Sequence, residues 1–185
     1  MRIIAGNYKN TKLVSPKSDK IRPTTDRVRE SLFNILEHGK NAISLEQARV
    51  LDLFAGTGAL GLEAISRGAA FCLFVEEDAA ARAIIRQNIE NLSLTGSTKI
   101  FRRDATNLST SGRFGQFDLV FVDPPYNQDL GVKALQSTLD GGWLSPDCRI
   151  VLEESQKTQL DLPVNLQILD DRLYGDTSIK MIQHI

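Results

Sequence analysis

Cysteine and histidine are scarce. Two cysteines, Cys72 and Cys148, in 185 residues exclude a disulfide-stapled fold. Each lies inside an apolar run, where a thiol packs as a small hydrophobe. The two histidines, His38 and His184, form no Cys/His cluster, so no zinc site and no metal is expected. Long apolar runs are also missing. None approaches the roughly 20 residues that span a bilayer. The opening Met-Arg-Ile-Ile-Ala-Gly lacks the apolar stretch of a secretory signal. The expectation is a cytoplasmic protein, monomeric, with no membrane partner. No internal repeat or low-complexity segment interrupts the chain.

What is present is a globular composition, 42% hydrophobic and 24% charged, of a length that suits one domain with a short extension. The net charge of -1 hides an asymmetry. Residues 1–40 carry nine Lys/Arg against four Asp/Glu, and residues 41–185 carry 13 against 19. A basic arm on an acidic body points to a polyanionic partner at the arm. Two regions follow: a basic hairpin-and-helix extension over 1–40, suited to a polyanion, and the main domain over 41–185.

Residues 2–5 and 11–14 are short extended candidates around the turn signal Gly6-Asn7. Thr24 or Thr25 can cap a helix that begins near Asp26, and Gly39 can stop it. From Arg49 onward, apolar runs at 50–54, 71–75, 99–101, 117–122 and 149–153 alternate with helical stretches at 59–67, 78–92 and 129–139. Strands apolar on both faces, separated by helices, indicate a parallel sheet covered on both sides. Two late strands, at 166–169 and 178–183, have no helix between them. They form a hairpin that gives this α/β sheet one reversed strand.

Asp52-Leu53-Phe54-Ala55-Gly56-Thr57-Gly58 follows the first of these strands and opens a helix. Glycines there let the backbone turn tightly and approach a ligand. The helix N-terminus offers unpaired N–H groups. Gly56-x-Gly58-x-x-Gly61 also fits the dinucleotide fingerprint, and Glu76, 20 residues beyond Gly56, can bind ribose hydroxyls for either cofactor. The loop therefore reads as a nucleoside-cofactor site, and a nicotinamide oxidoreductase stays open on it. Asp52 tilts the choice. Its carboxylate suits the ammonium of S-adenosylmethionine and repels a pyrophosphate. Asp104, after the third strand, can accept from an adenine amino group.

Asp123-Pro124-Pro125-Tyr126 ends the strand at 117–122, at the edge where open α/β sheets bind ligands. Two prolines stiffen the peptide and withhold two N–H groups. An exocyclic base amine is a poor nucleophile because its lone pair is delocalised. The Asp123 carboxylate and the Pro124 carbonyl can accept its two N–H groups and aim the lone pair at a methyl donor. Tyr126 offers a face on which an extruded base can stack. The four residues 123–126 are the candidate catalytic set. Guanine N2 and adenine N6 pose the same problem to this tetrapeptide.

These two motifs resemble those of class I, Rossmann-like methyltransferases acting on base amines. The string Arg22-Pro23-Thr24-Thr25-Asp26-Arg27-Val28-Arg29-Glu30-Ser31-Leu32-Phe33-Asn34 and the opening Arg2-Ile3-Ile4-Ala5-Gly6 are similar to the RsmD family, the bacterial 16S rRNA guanine-N2 methyltransferases. The resemblance spans essentially the whole chain, including Gly142-Trp143-Leu144. It implies a seven-stranded, mostly parallel sheet with a reversed last strand. It implies S-adenosylmethionine as cofactor, held by Asp52, Phe54, Ala55, Gly56 and Gly58 at the methionine end, Glu76 at the ribose, Asp104 and Ala105 at the adenine, and Asp123 beside the target. It implies RNA contacts from Arg22, Thr24, Arg27, Arg29 and Tyr126. The partner is 16S ribosomal RNA or the small ribosomal subunit. The alternative kept open is an adenine-N6 methyltransferase of DNA or RNA.

Overall fold

A computed structural model describes residues 1–16, 26–125, 129–158 and 160–185. Arg22, Thr24 and Tyr126 lie outside the described residues. The elements in chain order are α1 (Asp26–His38), β1 (Arg49–Leu53), α2 (Ala59–Ser66), β2 (Phe71–Val75), α3 (Ala79–Asn91), β3 (Thr98–Phe101), β4 (Phe117–Val122), α4 (Leu130–Asp140), β5 (Leu144–Ser155), β6 (Leu166–Tyr174) and β7 (Thr177–His184). They build one seven-stranded sheet of order β3-β2-β1-β4-β5-β7-β6. β1 to β5 pair in parallel, and β7 runs antiparallel to both of its neighbours. The chain steps outward from β1 to β2 and β3, then returns to the other side of β1 with β4. The carboxyl ends of β1 and β4 therefore flank a switch point, where such sheets open a crevice.

Alternation along each strand sends side chains to two apolar layers. Val50, Phe74, Phe121, Val151 and Ile179 share one layer with Leu32, Phe33 and Leu36 of α1, Leu62 of α2, and Ile85 and Ile89 of α3. Leu51, Leu73, Val120, Val122 and Leu152 share the other with Ala134 and Leu135 of α4 and with Trp143. Trp143 is fully buried, near-parallel to Phe114 and Phe117 with ring centroids 6.0 Å apart. Its Nε1 donates to the Ser109 carbonyl at 2.8 Å. Among the described residues, no helix is long and apolar enough to cross a membrane.

Three elements differ from the sequence reading. The extended candidates at 2–5 and 11–14 make one antiparallel bridge, Arg2 to Lys12, rather than two strands. The N–H groups of Ile4 and Ala5 go instead to the Glu63 carboxylate of α2, at 2.7 and 3.0 Å. β5 begins at Leu144, ahead of the apolar run. The register jumps from Phe117–Leu144 to Leu119–Arg149, so a bulge absorbs Ser145-Pro146-Asp147, which alone reads as a turn. β6 and β7 extend to a two-residue connection at Gly175-Asp176, with Gly175 at φ +63°.

Candidate active site

The loop after β1 is wound by three residues at positive φ: Phe54 at +56°, Gly56 at +54° and Gly58 at +76°. For Phe54 this conformation costs on the order of 1 kcal/mol, a strain kept mainly at functional sites. Gly61, on the first turn of α2, is fixed by contact. A Cβ there would lie 2.4 Å from Cys72 Sγ and 2.5 Å from the Phe74 ring, so only glycine lets α2 lie this close to β2. The loop is held from several sides. Gly56 N–H donates to Glu76 Oε2 at 2.9 Å, and Glu76 Oε1 accepts from Asp78 N–H at 2.8 Å. Asp78 in turn caps α3 by accepting from Ala81 N–H at 2.7 Å. Asn88 of α3, buried, donates from Nδ2 to the Thr57 and Val14 carbonyls, each at 3.1 Å, and accepts from Val14 N–H at 2.7 Å.

Beside the loop opens a cleft of about 610 Å³, within the range of small-ligand sites. Its walls include Phe54, Glu76, Asp78, Arg103, Asp104 and Pro125. Ala105 also lines it. Asp104 Oδ1 accepts from the Thr106 N–H at 2.8 Å and its hydroxyl at 2.7 Å. The Arg103 guanidinium lies over the Phe101 ring, 5.4 Å from its centroid. The cleft thus joins residues from the ends of β1, β2, β3 and β4. Asp52, Ala55, Gly56, Gly58, Asp123 and Pro124 are not on its walls.

Asp52 is 2% exposed and accepts from Gly61 N–H at 3.0 Å. Burial pushes its carboxyl up to about 8; the Gly61 bond opposes the shift and the Glu76 charge adds to it. Asp123 is raised well above the ordinary carboxylate range by burial, then by the charges of Glu153, Asp52 and Glu154. Among the described residues no ion pair involves Asp52, Glu76 or Asp123. Acids without cations, Asp52 buried and Glu76 and Asp123 half-buried, are complementary to a ligand that brings positive charge. A ligand with an ammonium and a sulfonium fits that demand, and a pyrophosphate does not.

This site sits in a chain with close relatives. The family profile described as conserved hypothetical protein 95 matches residues 1–183. Ribosomal RNA small subunit methyltransferase D of Escherichia coli (strain K12) is 37% identical over 187 residues, covering 99% of this chain and 89% of that one. The protein of the same name from Haemophilus influenzae is 32% identical, covering 100% and 94%. The solved structure of yhhF from Escherichia coli superposes with a TM-score of 0.83 at 34% identity, covering 100% and 97%. The chain belongs to the ribosomal RNA small subunit methyltransferase D family. It is a methyltransferase with the α/β fold of that family.

In this methyltransferase, one expected RNA contact is corrected. Arg29 is 1% exposed. Its Nη2 donates to the Arg2 carbonyl and, at 3.0 Å, to Asp26 Oδ1, while Nε lies 4.0 Å from Glu63 Oε2. Helical spacing places it on the apolar face of α1 with Leu32, Phe33 and Leu36, turned from solvent. Arg27, two residues earlier, is exposed.

The sequence reading missed Asp78, Ala79 and Thr106, which share the cleft. Their adjacency to Glu76 and Ala105 was the available signal. It also missed Leu130, which reaches the cleft from the start of α4 and carries no local mark. Asn88 and Glu63 act over separations of 74 and 59 residues, which no local pattern encodes.

Proposed function

We propose that this chain transfers a methyl group from S-adenosylmethionine to the exocyclic N2 amine of a guanine in bacterial 16S ribosomal RNA. The observation that carries the reading is Asp123-Pro124-Pro125 at the carboxyl end of β4, with Pro125 on the wall of an acidic, nucleoside-sized cleft. Relatives that share nearly the whole chain are named for small-subunit ribosomal RNA. Asp52 would meet the cofactor's ammonium, Glu76 its ribose hydroxyls, and Asp104 with Ala105 its adenine. Phe54, Ala55, Gly56 and Gly58 would shape the loop around it. The bound cofactor supplies an already activated methyl group.

The residues of the chain do the rest by position. The Asp123 carboxylate and the Pro124 carbonyl accept the amine's two N–H groups and turn its lone pair out of conjugation. Such orientation is worth up to roughly 7–11 kcal/mol in well-aligned systems. As the nitrogen gains carbon it must lose a proton. Asp123, whose proton affinity is raised by burial and by Glu153, would take it once the cofactor's positive charge has displaced its own proton. Tyr126 would stack on the extruded base. Residues 1–40 would form the RNA-facing region, with Arg22, Thr24 and Arg27 in contact.

Tritium transfer from labelled cofactor to small subunits of a strain lacking the protein, followed by nucleoside digestion, tests the reading. Label in N2-methylguanosine is expected. Label in N6-methyladenosine would move the enzyme to the adenine class. Asp123→Ala is expected to abolish transfer while cofactor affinity stays within about threefold. Turnover within tenfold of normal would remove Asp123 from the chemistry.

A further inference from the structure

Asp123 and Pro124 meet an amine, but guanine and adenine both present one. What separates the two bases is the ring nitrogen beside it. Guanine carries N1–H, a donor next to the N2 amine. Adenine carries a bare N1 lone pair next to N6. A reader of guanine therefore needs a second acceptor beside the one that holds the amine.

The sheet places one there. β4 and β5 run parallel, about 4.8 Å apart, with Val122, the last residue of β4, abreast of Leu152, so Asp123 leaves the end of β4 beside Glu153 of β5. Glu153 faces the same side as Asp52. It pairs across the ladder with Ile179, which lies in the apolar layer of Val50, Phe121 and Val151, and Asp52 follows Leu51 of the opposite layer. Glu154 turns the other way, since a Cβ on Gly131 of α4 would lie 2.7 Å from its Oε1. Among the charges acting on Asp123, Glu153 is the strongest, which agrees with carboxyls that converge.

We propose that Glu153 is the specificity residue of this site, its carboxylate accepting the N1–H of the target guanine while Asp123 and Pro124 hold the N2 amine. The inference rests on the guanine-N2 reading above. An ionised carboxylate only accepts. It completes the donor edge of guanine and repels the N1 lone pair of adenine. A flipped base is read along this edge.

The test uses 2-aminopurine, which keeps the amine next to a bare N1 lone pair. Small subunits are reconstituted with 16S rRNA carrying guanine, 2-aminopurine or adenine at the methylated position. The wild-type protein and Glu153→Gln are compared by kcat/KM, with cofactor affinity as a check of folding. Glutamine has the same shape but can donate to the lone pair. The preference for guanine over 2-aminopurine is expected to fall by at least about tenfold in Glu153→Gln, the scale of one well-placed base contact. Cofactor affinity is expected to stay within about twofold. An equal loss on both bases, or an unchanged ratio, overturns the assignment. So does no detectable turnover of 2-aminopurine by the variant alongside normal turnover of guanine. Wild-type turnover of adenine but not guanine would instead overturn the guanine reading, and this inference with it.

Discussion

Two buried acids, Glu63 of α2 and Asp52, which holds the N–H of Gly61 on the same helix, behave in opposite ways. Glu63, beneath the N-terminal segment, is fully buried and fully engaged. It accepts from Ile4 N–H, Ala5 N–H and Arg67 Nε, the last at 2.8 Å. Arg67 also reaches Glu37, and its guanidinium lies 4.7 Å from the Phe33 ring centroid. Asp52 is almost as buried but has one backbone donor and no cation among the described residues. The sheet tolerates both, for different reasons. Partners offset the desolvation of Glu63. Asp52 instead holds a proton until something brings a positive charge. A buried acid with partners marks scaffold here, and one without marks the site.

Removing each acid should therefore change stability with opposite sign. The largest effect is expected from Glu63→Ala. It strands two backbone donors and takes from the Arg67 guanidinium one of its two carboxylate partners, at a cost of about 3–5 kcal/mol. In urea unfolding at pH 7 the midpoint should drop accordingly. The variant that remains folded should keep near-normal turnover below its transition, because Glu63 touches no part of the cleft. A loss under about 1 kcal/mol would mean that the N-terminal segment is anchored elsewhere.

Asp52→Asn should do the reverse. The folded-state carboxyl, near 8, lies above its ordinary 3.8. Between these values the folded chain holds a proton that the unfolded chain has released. Stability of the unliganded protein then falls as pH rises from about 4 to 8. Asparagine removes that slope. The variant should gain on wild type by about 3–4 kcal/mol more at pH 8 than at pH 5, read from urea midpoints at the two values. Its affinity for cofactor should fall by at least about tenfold. Equal gain at both pH values would show that Asp52 does not titrate in this window.

The difference between the two acids also marks where sequence reading stops. Asp52 is legible because it stands one turn ahead of Gly56 and Gly58 at the end of an apolar run. The same holds for β4, whose unbroken run Phe-Asp-Leu-Val-Phe-Val matches its observed bounds. Glu63 is not legible. In Ala-Leu-Gly-Leu-Glu-Ala it reads as an ordinary helix residue, and its partners lie 58 and 59 residues away. Arg29 misled in the same manner. A basic residue in a basic stretch reads as surface, yet α1 turns it inward, where Asp26, Glu63 and the Arg2 carbonyl receive it. Charge tells what a residue can meet, and only the packing tells which way it faces.

A third acid, Asp171 of β6, sharpens the contrast from the solvent side. Burial works against its ionised form, but hydrogen bonds from Lys180 and Ser178 outweigh that and lower its pKa. Its sign is thus opposite to that of Asp52. A depressed carboxyl adds stability above its ordinary pKa and loses it as pH falls through the folded value. The magnitude is small, because the side chain is 47% exposed and water screens the Lys180 pair. Asp171→Asn should cost about 0–1 kcal/mol at pH 7, a cost that fades as pH falls through the lowered folded-state value, below which both states are protonated. Added salt should shrink the pH 7 cost further. A loss above about 2 kcal/mol would place this edge of the sheet in the same class as the Glu63 clasp. Partnering alone, without burial, would then be enough to make an acid structural.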